Sequence, residues 1–327
     1  MGRRPADTLC RVSDSTPTST LPDPTAVAVS SEVREAVAAG RPVLAMESTI
    51  FTHGLPRPRN LEVALAAEEQ VRAAGVVPAT IGVVDGVPTV GMSTAQVERL
   101  AGEDVIKASV RELPIARATG ASAGTTIAAT AFLAHAAGIE VFSTGGLGGV
   151  HHGASTTFDE SADLVTLSRV PVVLVSSGAK AILDIPATLE RFETLSVPVV
   201  GYRTLRYPGF YVHDSGYPLA QQVDSPEQVA ALYRASRGLG LPASVLVGNP
   251  IPEGDSLDPV ALDEVIERAW AAADDQGVRG QATTPFLLDF IQRATKGESL
   301  DANVALYRNN VALGCEVATA LAAGVSG

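Results

Sequence analysis

The sequence predicts an α/β fold: a largely parallel central sheet with helices on both faces (α/β/α), a local β-hairpin and a group of C-terminal helices. Three observations predict it. Several short runs are apolar at every position rather than at alternate ones, which marks strands buried on both faces of a parallel sheet. Amphipathic segments of helical period separate those runs, so helices join consecutive strands. With 327 residues, 46% of them hydrophobic and 18% charged, one large domain of this kind can fill its interior.

In chain order, residues 1–26 are rich in Ser, Thr, Pro and Asp without periodicity and are expected to form a disordered leader. A single α/β catalytic domain is expected over 27–323. Its strands are PVLAME (42–47), ATIGVV (79–84), IEVFST (139–144), PVVLVSS (171–177), VPVVGYR (197–203) and ASVLVGN (243–249). Each is short, apolar and rich in β-branched residues. Asp85-Gly86, between IGVV and VPTVGM, is a hairpin signal and predicts one antiparallel pair. Helical periodicity covers 60–75, 94–101, 124–137, 184–195, 226–237, 258–275, 284–294 and 300–323. Gly124 with Thr125 or Thr126 reads as the turn and cap opening the third of these, and Pro285 suits the first helical position of the seventh.

Composition excludes several roles. A formal charge of −12 without a basic run argues against nucleic acid. No apolar stretch approaches the ~20 residues needed to span a bilayer, and Arg3 and Arg4 lack the apolar core of a secretory signal behind them. Cys10 and Cys315 have no metal-ligand spacing, so reduced thiols are expected. A cytoplasmic protein acting on a small molecule is the expectation.

Only three of the 24 basic residues are lysines: Lys107, Lys180 and Lys296. Arginine stays protonated, whereas a desolvated lysine can lose its proton and become a nucleophile. Lys180 follows an apolar strand in VLVSSGAKAILDIP, and Lys107 stands in DVIKASVRELP. Lys296 lies in a turn and carries no such signal. Glu47 closes the first long strand, where desolvation would raise its pKa and suit it to be a general acid. His53, Arg57 and Arg59 follow in a Pro-rich turn that is either structural or phosphate-facing.

STGGLGGVHHGASTTFDESADL (143–164) combines glycines, His151 and His152, and the acids Asp159, Glu160 and Asp163. Such a loop suits close backbone approach to a ligand, and hard oxygen ligands favour Mg or Mn over Zn. Asp159 is equally a candidate helix cap. The start of the helix in GASAGTTIAAT is a candidate phosphate site. Asn249, ahead of Pro250, is placed to aim an amide at a ligand, and Asn303, within an apolar helix, needs a polar partner. GGLGGV is not a dinucleotide fingerprint.

These segments together resemble the pseudouridine-5′-phosphate glycosidase family, also called the indigoidine synthase A family. The resemblance rests on ESTIFTHGLPRPRNLE, the K-x-S-x-RELP segment, GTTIAAT, FSTGGLGGVHHGA, TFDESADL, SSGAKAILDIP, VGNPIPE, TPFLL and SLDANVAL, collinear from about Val27 to Val317. It implies cleavage of the C–C bond of pseudouridine 5′-phosphate to uracil and ribose 5-phosphate, reversibly, with a divalent metal, typically manganese, and a homotrimer. Carried over by motif, Glu47 is the proton donor and Lys180 the nucleophile. Lys107, Thr126, Ile127, His151, Ser161, Ala162, Asp163 and Asn303 fall on substrate positions, and Asp159 on the metal position. Val110 and His152 stand where the family commonly has Arg, which bears on ligand affinity.

The chemistry suits these residues. A C-glycoside leaves through carbon, so the usual two-carboxylate route through a protonated oxygen leaving group serves poorly. Ring opening by Glu47 and a Schiff base on Lys180 create an electron sink instead, with Lys107 contacting the anionic substrate. Two alternatives share the phosphate recognition: a metal-dependent hydrolase of N-glycosidic nucleotides, and a sugar-phosphate-binding regulatory protein.

Overall fold

Runs of buried β-branched residues need partners on both edges, and in the computed structural model, which describes residues 27–279 and 283–324, eleven strands join in one sheet. They are β1 (Ala28–Val29), β2 (Val43–Glu47), β3 (Val77–Val84), β4 (Val87–Val90), β5 (Ile106–Ala108), β6 (Ala123–Thr125), β7 (Val141–Ser143), β8 (Val173–Ser176), β9 (Val199–Tyr202), β10 (Gln222–Val223) and β11 (Val245–Gly248). The helices are α1 (Ser31–Ala38), α2 (Arg59–Ala73), α3 (Thr94–Gly102), α4 (Leu113–Thr119), α5 (Ile127–Ala136), α6 (Ala154–Thr157), α7 (Ala162–Leu167), α8 (Ile185–Thr194), α9 (Pro226–Gly238), α10 (Pro259–Asp275), α11 (Thr283–Ala294) and α12 (Glu298–Ala323). The expected leader, with Cys10, lies outside the described residues.

The strand order is β1-β4-β3-β2-β7-β8-β11-β9-β10, with β6 pairing β3 and β5 beside this path. From β3 through β10 every pairing along the path is parallel. All positions of β2, β8 and β11 are buried, as runs apolar at every position require. The expected hairpin joins β3 to β4 antiparallel, with Val84 opposite Val87. Asp85 (φ 49°) and Gly86 (φ 77°) both take the left-handed conformation that this tight turn needs. Arg99 holds Asp85 with two bonds of 2.8 and 2.7 Å.

One helix starts later than its sequence suggests. Residues 123–125 are strand β6, because Thr125 is drawn to the edge of β3: its hydroxyl donates to the Ile81 carbonyl at 2.7 Å, and its N–H donates to Ser48 Oγ at 2.8 Å. Gly124 is required by close approach, since a Cβ there would strike the Thr52 side chain. The short elements β1, β5, β10, α1 and α4 had no visible periodicity. Two or three residues of strand carry none.

Helices cover the sheet. The long α12 crosses β2, β7 and β8, between α2 and α9, while α5 packs against β2 and β3 and carries α7 beside it. Among the described residues no helix is long and apolar enough to cross a membrane. Cys315 is buried on α12, and burial pushes its thiol up to about 12.

Also on α12, the fully buried Asn310 ties together the ends of three strands. Its amide donates to the carbonyls of Thr144 (2.8 Å) and Gly145 (3.2 Å) after β7. It also donates to Ser177 Oγ (3.1 Å) after β8, and its carbonyl oxygen accepts from the Asn249 amide (3.0 Å) after β11. Asn249 therefore serves the scaffold, not a ligand. Asn310→Leu strands several of these buried groups and is expected to lower stability by about 3–5 kcal/mol, read as the shift in a urea unfolding midpoint.

Candidate active site

Ligands in open α/β sheets bind beyond the carboxyl ends of the strands. Here the ends of β2 and β8, the start of α5 and the loop after β7 surround one cavity of about 400 Å³. Glu47, Lys107, Thr126, Ile127, His151, Asp159, Ser161, Ala162, Asp163 and Lys180 all line it. Asn303 is not among the lining residues. It lies on α12, with its side-chain oxygen near Gly145.

Glu47 ends β2 in a buried position, and Thr144, after the adjacent β7, donates its hydroxyl to the carboxylate. Burial raises the Glu47 pKa and the nearby Asp163 adds to this, while Lys180, Thr144 and Lys107 act in the opposite direction. The chain beyond it is pinned: Thr49 Oγ1 donates to the Thr125 carbonyl at 2.6 Å, and residues Ile50–Gly54 form a π-helical turn. Such turns recur beside functional sites.

Lys180 is half-buried in the turn after β8. Its N–H donates to the Leu147 carbonyl at 3.0 Å, and its own carbonyl accepts from Leu183 N at 3.0 Å. The preceding Ala179 N–H donates to the buried Tyr207 hydroxyl at 2.8 Å, so the backbone under the amine is fixed. Lys107 lines the open cavity and keeps more than a third of its surface accessible, yet protein atoms crowd it closely. That crowding lowers its pKa, with the Lys180 charge adding to the effect and Asp163 and Glu47 opposing it.

Asp163, not a threonine, caps α5. The Thr126 side chain makes no cap bond. Instead Asp163 Oδ1 accepts from Ala128 N and Oδ2 accepts from Gly148 N, each at 2.9 Å. Asp163 is itself buried, on the first turn of α7, whose cap is Ser161 rather than Asp159. The glycines of the loop after β7 thus serve close packing inside the protein as well as facing the cavity. A Cβ at Gly148 would meet Asp163 Oδ2 at 2.8 Å and press on Ser161. Gly148→Ala is expected to cost about 1–3 kcal/mol and to reduce activity, checked by thermal melt and steady-state rate.

Three lining side chains bury a polar atom without a protein partner: Ser109 Oγ, Thr126 Oγ1 and His151 Nδ1. Buried polar groups require partners, and at the wall of an open cavity water or a ligand can supply them. Burial and the charges of Lys180, His152 and Lys107 lower the His151 pKa, against the pull of Asp159. Arg57 and Arg59 are used structurally. Arg57 donates to the carbonyls of Ala101 (2.9 Å) and Glu103 (2.6 Å), and Arg59 pairs with Asp301 at 2.5 Å. His53 shares a 2.8 Å hydrogen bond with Thr52 Oγ1.

For a metal, no group of three His, Cys, Asp or Glu side chains gathers at ligand distance among the described residues. Asp159 is one carboxylate beside an unpaired imidazole nitrogen. That donor set fits a hard cation that keeps most of its waters, not a caged zinc.

Sequence reasoning missed Thr49, Ser109, Arg111, Glu112 and Thr284 on the cavity wall, and Thr144 behind Glu47. RELP offered a signal in its charged pair, Arg111 and Glu112. A hydroxyl at the end of an apolar strand offers none.

Residues 32–320 match the family described as indigoidine synthase A-like proteins. A pseudouridine-5′-phosphate glycosidase of Saccharopolyspora erythraea is 62% identical over 295 residues, 90% of this chain and 97% of that protein. A protein of the same description from Streptomyces griseus subsp. griseus is 52% identical over 296 residues, 90% of this chain and 92% of its own. Among solved structures, a prealnumycin C-glycosynthase in complex with ribulose 5-phosphate superposes with a TM-score of 0.86 at 36% identity, covering 93% of this chain and 99% of that one. An indigoidine synthase A-like protein from Thermotoga maritima gives 0.83 at 38% identity, covering 90% and 96%. The chain belongs to the indigoidine synthase A-like family.

Proposed function

We propose that this chain cleaves the C–C glycosidic bond of pseudouridine 5′-phosphate, giving uracil and ribose 5-phosphate. The observation that carries this reading is a single cavity holding both a buried carboxyl of raised pKa, Glu47, and the amine of Lys180. The relatives described as glycosidases of this nucleotide support the substrate, and the sugar phosphate in the C-glycosynthase supports the pocket's ligand class.

Glu47, its pKa raised by burial, gives its proton to the ribose ring oxygen as the Lys180 amine attacks the anomeric carbon. The C–O ring bond breaks and a C–N bond forms. The attacking nitrogen, now bonded to the anomeric carbon, gives up a proton and a proton is taken up at the uracil carbon; the freed nitrogen lone pair then makes the C=N bond of an iminium while the uracil carbon keeps the electrons of the cleaved C–C bond. Water adds to the iminium, releasing ribose 5-phosphate and free Lys180. Thr144 orients the acid, and Lys107 places positive charge beside the anionic substrate.

A divalent cation, manganese or a similar hard ion, would be held by Asp159 with His151 nearby. When bound, it would supply positive charge to substrate oxygens. A cytoplasmic homotrimer is part of the same proposal. Incubating the purified protein with pseudouridine 5′-phosphate and manganese should release uracil, followed by chromatography. Cleavage of uridine 5′-phosphate instead would favour the N-glycosidic hydrolase, and binding of ribose 5-phosphate without turnover would favour the regulatory protein.

A further inference from the structure

The turn that carries Lys180 is gripped from two sides. On one side it pairs with the loop after β7. Ser177 N donates to the Gly145 carbonyl at 2.9 Å, and Leu147 N donates to the Gly178 carbonyl at 3.0 Å. On the other side it meets residues 207–210, which follow β9 and line no part of the cavity.

This second grip is close. Phe210 N donates to the Ser177 carbonyl at 3.0 Å, and Ala179 N donates to the Tyr207 hydroxyl at 2.8 Å. Between these bonds Gly178 has φ 82°, and a Cβ there would strike the Pro208 carbonyl oxygen and the Tyr207 ring. The Phe210 ring lies equally close to Gly146, on the loop after β7. Tyr207 is itself held. Its N–H donates to the Tyr217 carbonyl at 2.9 Å, and its carbonyl accepts from Ser215 N at 3.0 Å and Ser215 Oγ at 2.7 Å. The ring is buried, and burial pushes the phenol above its ordinary range, so it stays a neutral hydroxyl. The bonded N–H belongs to the residue just before Lys180. Four methylenes separate the Lys180 Cα from its amine, so a small rotation of the preceding peptide becomes a larger displacement of the nitrogen. A misplacement of about 1 Å at a reacting atom can cost about 100-fold in rate.

We propose that Tyr207 is a positioning residue for Lys180: its hydroxyl fixes the chain just ahead of the nucleophile and so sets the approach of the amine to the anomeric carbon. The proposal rests on the reading of Lys180 as the nucleophile of a C-glycosidase. Tyr207 lies outside the cavity and acts only through the chain, which makes the loop after β9 part of the covalent step.

The test removes the hydroxyl and keeps the ring, in Tyr207→Phe. Tyr233→Phe is the control. Tyr233 is also buried and donates its hydroxyl to the Pro171 carbonyl at 3.0 Å, so the same deletion is made ahead of β8 instead of after it. Both variants should lower the urea unfolding midpoint. Only Tyr207→Phe should lower kcat for uracil release, by about 10–100-fold, with KM changed less than about twofold. Its pH profile should keep the wild-type shape, since no titrating group of the cavity is touched. Borohydride trapping of ribose 5-phosphate on Lys180 should slow by the same factor, while calorimetry finds unchanged binding of the sugar phosphate. A kcat within about twofold of wild type in Tyr207→Phe, a rise in KM alone, or an equal loss of kcat in Tyr233→Phe overturns the proposal. Should Tyr207→Phe not fold, Phe210→Leu, which loosens the same grip, is held to the same criteria. A wild type that releases no uracil yet traps the sugar overturns the functional reading instead, and the trapping rates then decide for or against Tyr207. A wild type that does neither has no nucleophile to position, and both readings fall.

Discussion

Lys180→Arg is expected to reduce uracil release by at least about 10⁴-fold. Arginine keeps the charge and much of the length, so substrate attraction survives, but a guanidinium cannot become the neutral nucleophile of a Schiff base. The turn beneath it is held through the backbone of residues 179 and 180, so the fold should be unaffected. Borohydride added with ribose 5-phosphate should fix mass on Lys180 in the wild type and none in the variant. A variant that still traps the sugar, or still turns over, refutes the covalent route.

Glu47→Gln is expected to cost about 10²–10⁴-fold in kcat, with ribose 5-phosphate binding largely kept. The pH profile gives the sharper test. Burial raises the Glu47 pKa above the usual carboxylate range, so the acid form persists to higher pH than an exposed glutamate allows. Activity dependent on that proton must fall as pH rises through the raised pKa. The lowered pKa of Lys107 adds a second loss on the same side, below the ordinary lysine range, as its charge disappears. Glu47→Gln should erase the carboxyl limb and retain the lysine one. If both limbs persist in the variant, Glu47 is not the acid.

The central strands and the long helices were legible because burial on both faces leaves an unmistakable run of apolar residues. The hairpin was legible because Asp85 and Gly86 alone solve its backbone problem. What stayed hidden depends on distant partners. Asp163 caps a helix 35 residues away in sequence, and no local pattern foretells that bond. The real start of α5 follows from Thr125 preferring Ile81 to a helical turn. Asn310, one asparagine among several near the C-terminus, gains its importance only when three strand ends converge on it. Glu47, Lys180 and Lys107 stood out by residue type and setting. Arg111 did not, being one arginine in a chain full of them.

The acid stands on a central strand and the amine on the turn leaving another, whereas the 107–112 turn hangs from β5, a strand joined to the main array only through β6. The cavity wall is thus assembled from pieces of the chain with separate anchorage in the sheet. A shift of the peripheral turn would move Lys107 and Arg111 without disturbing the strands that carry the acid and the amine. That edge of the cavity is therefore the part whose shape can change at the least cost to the central sheet.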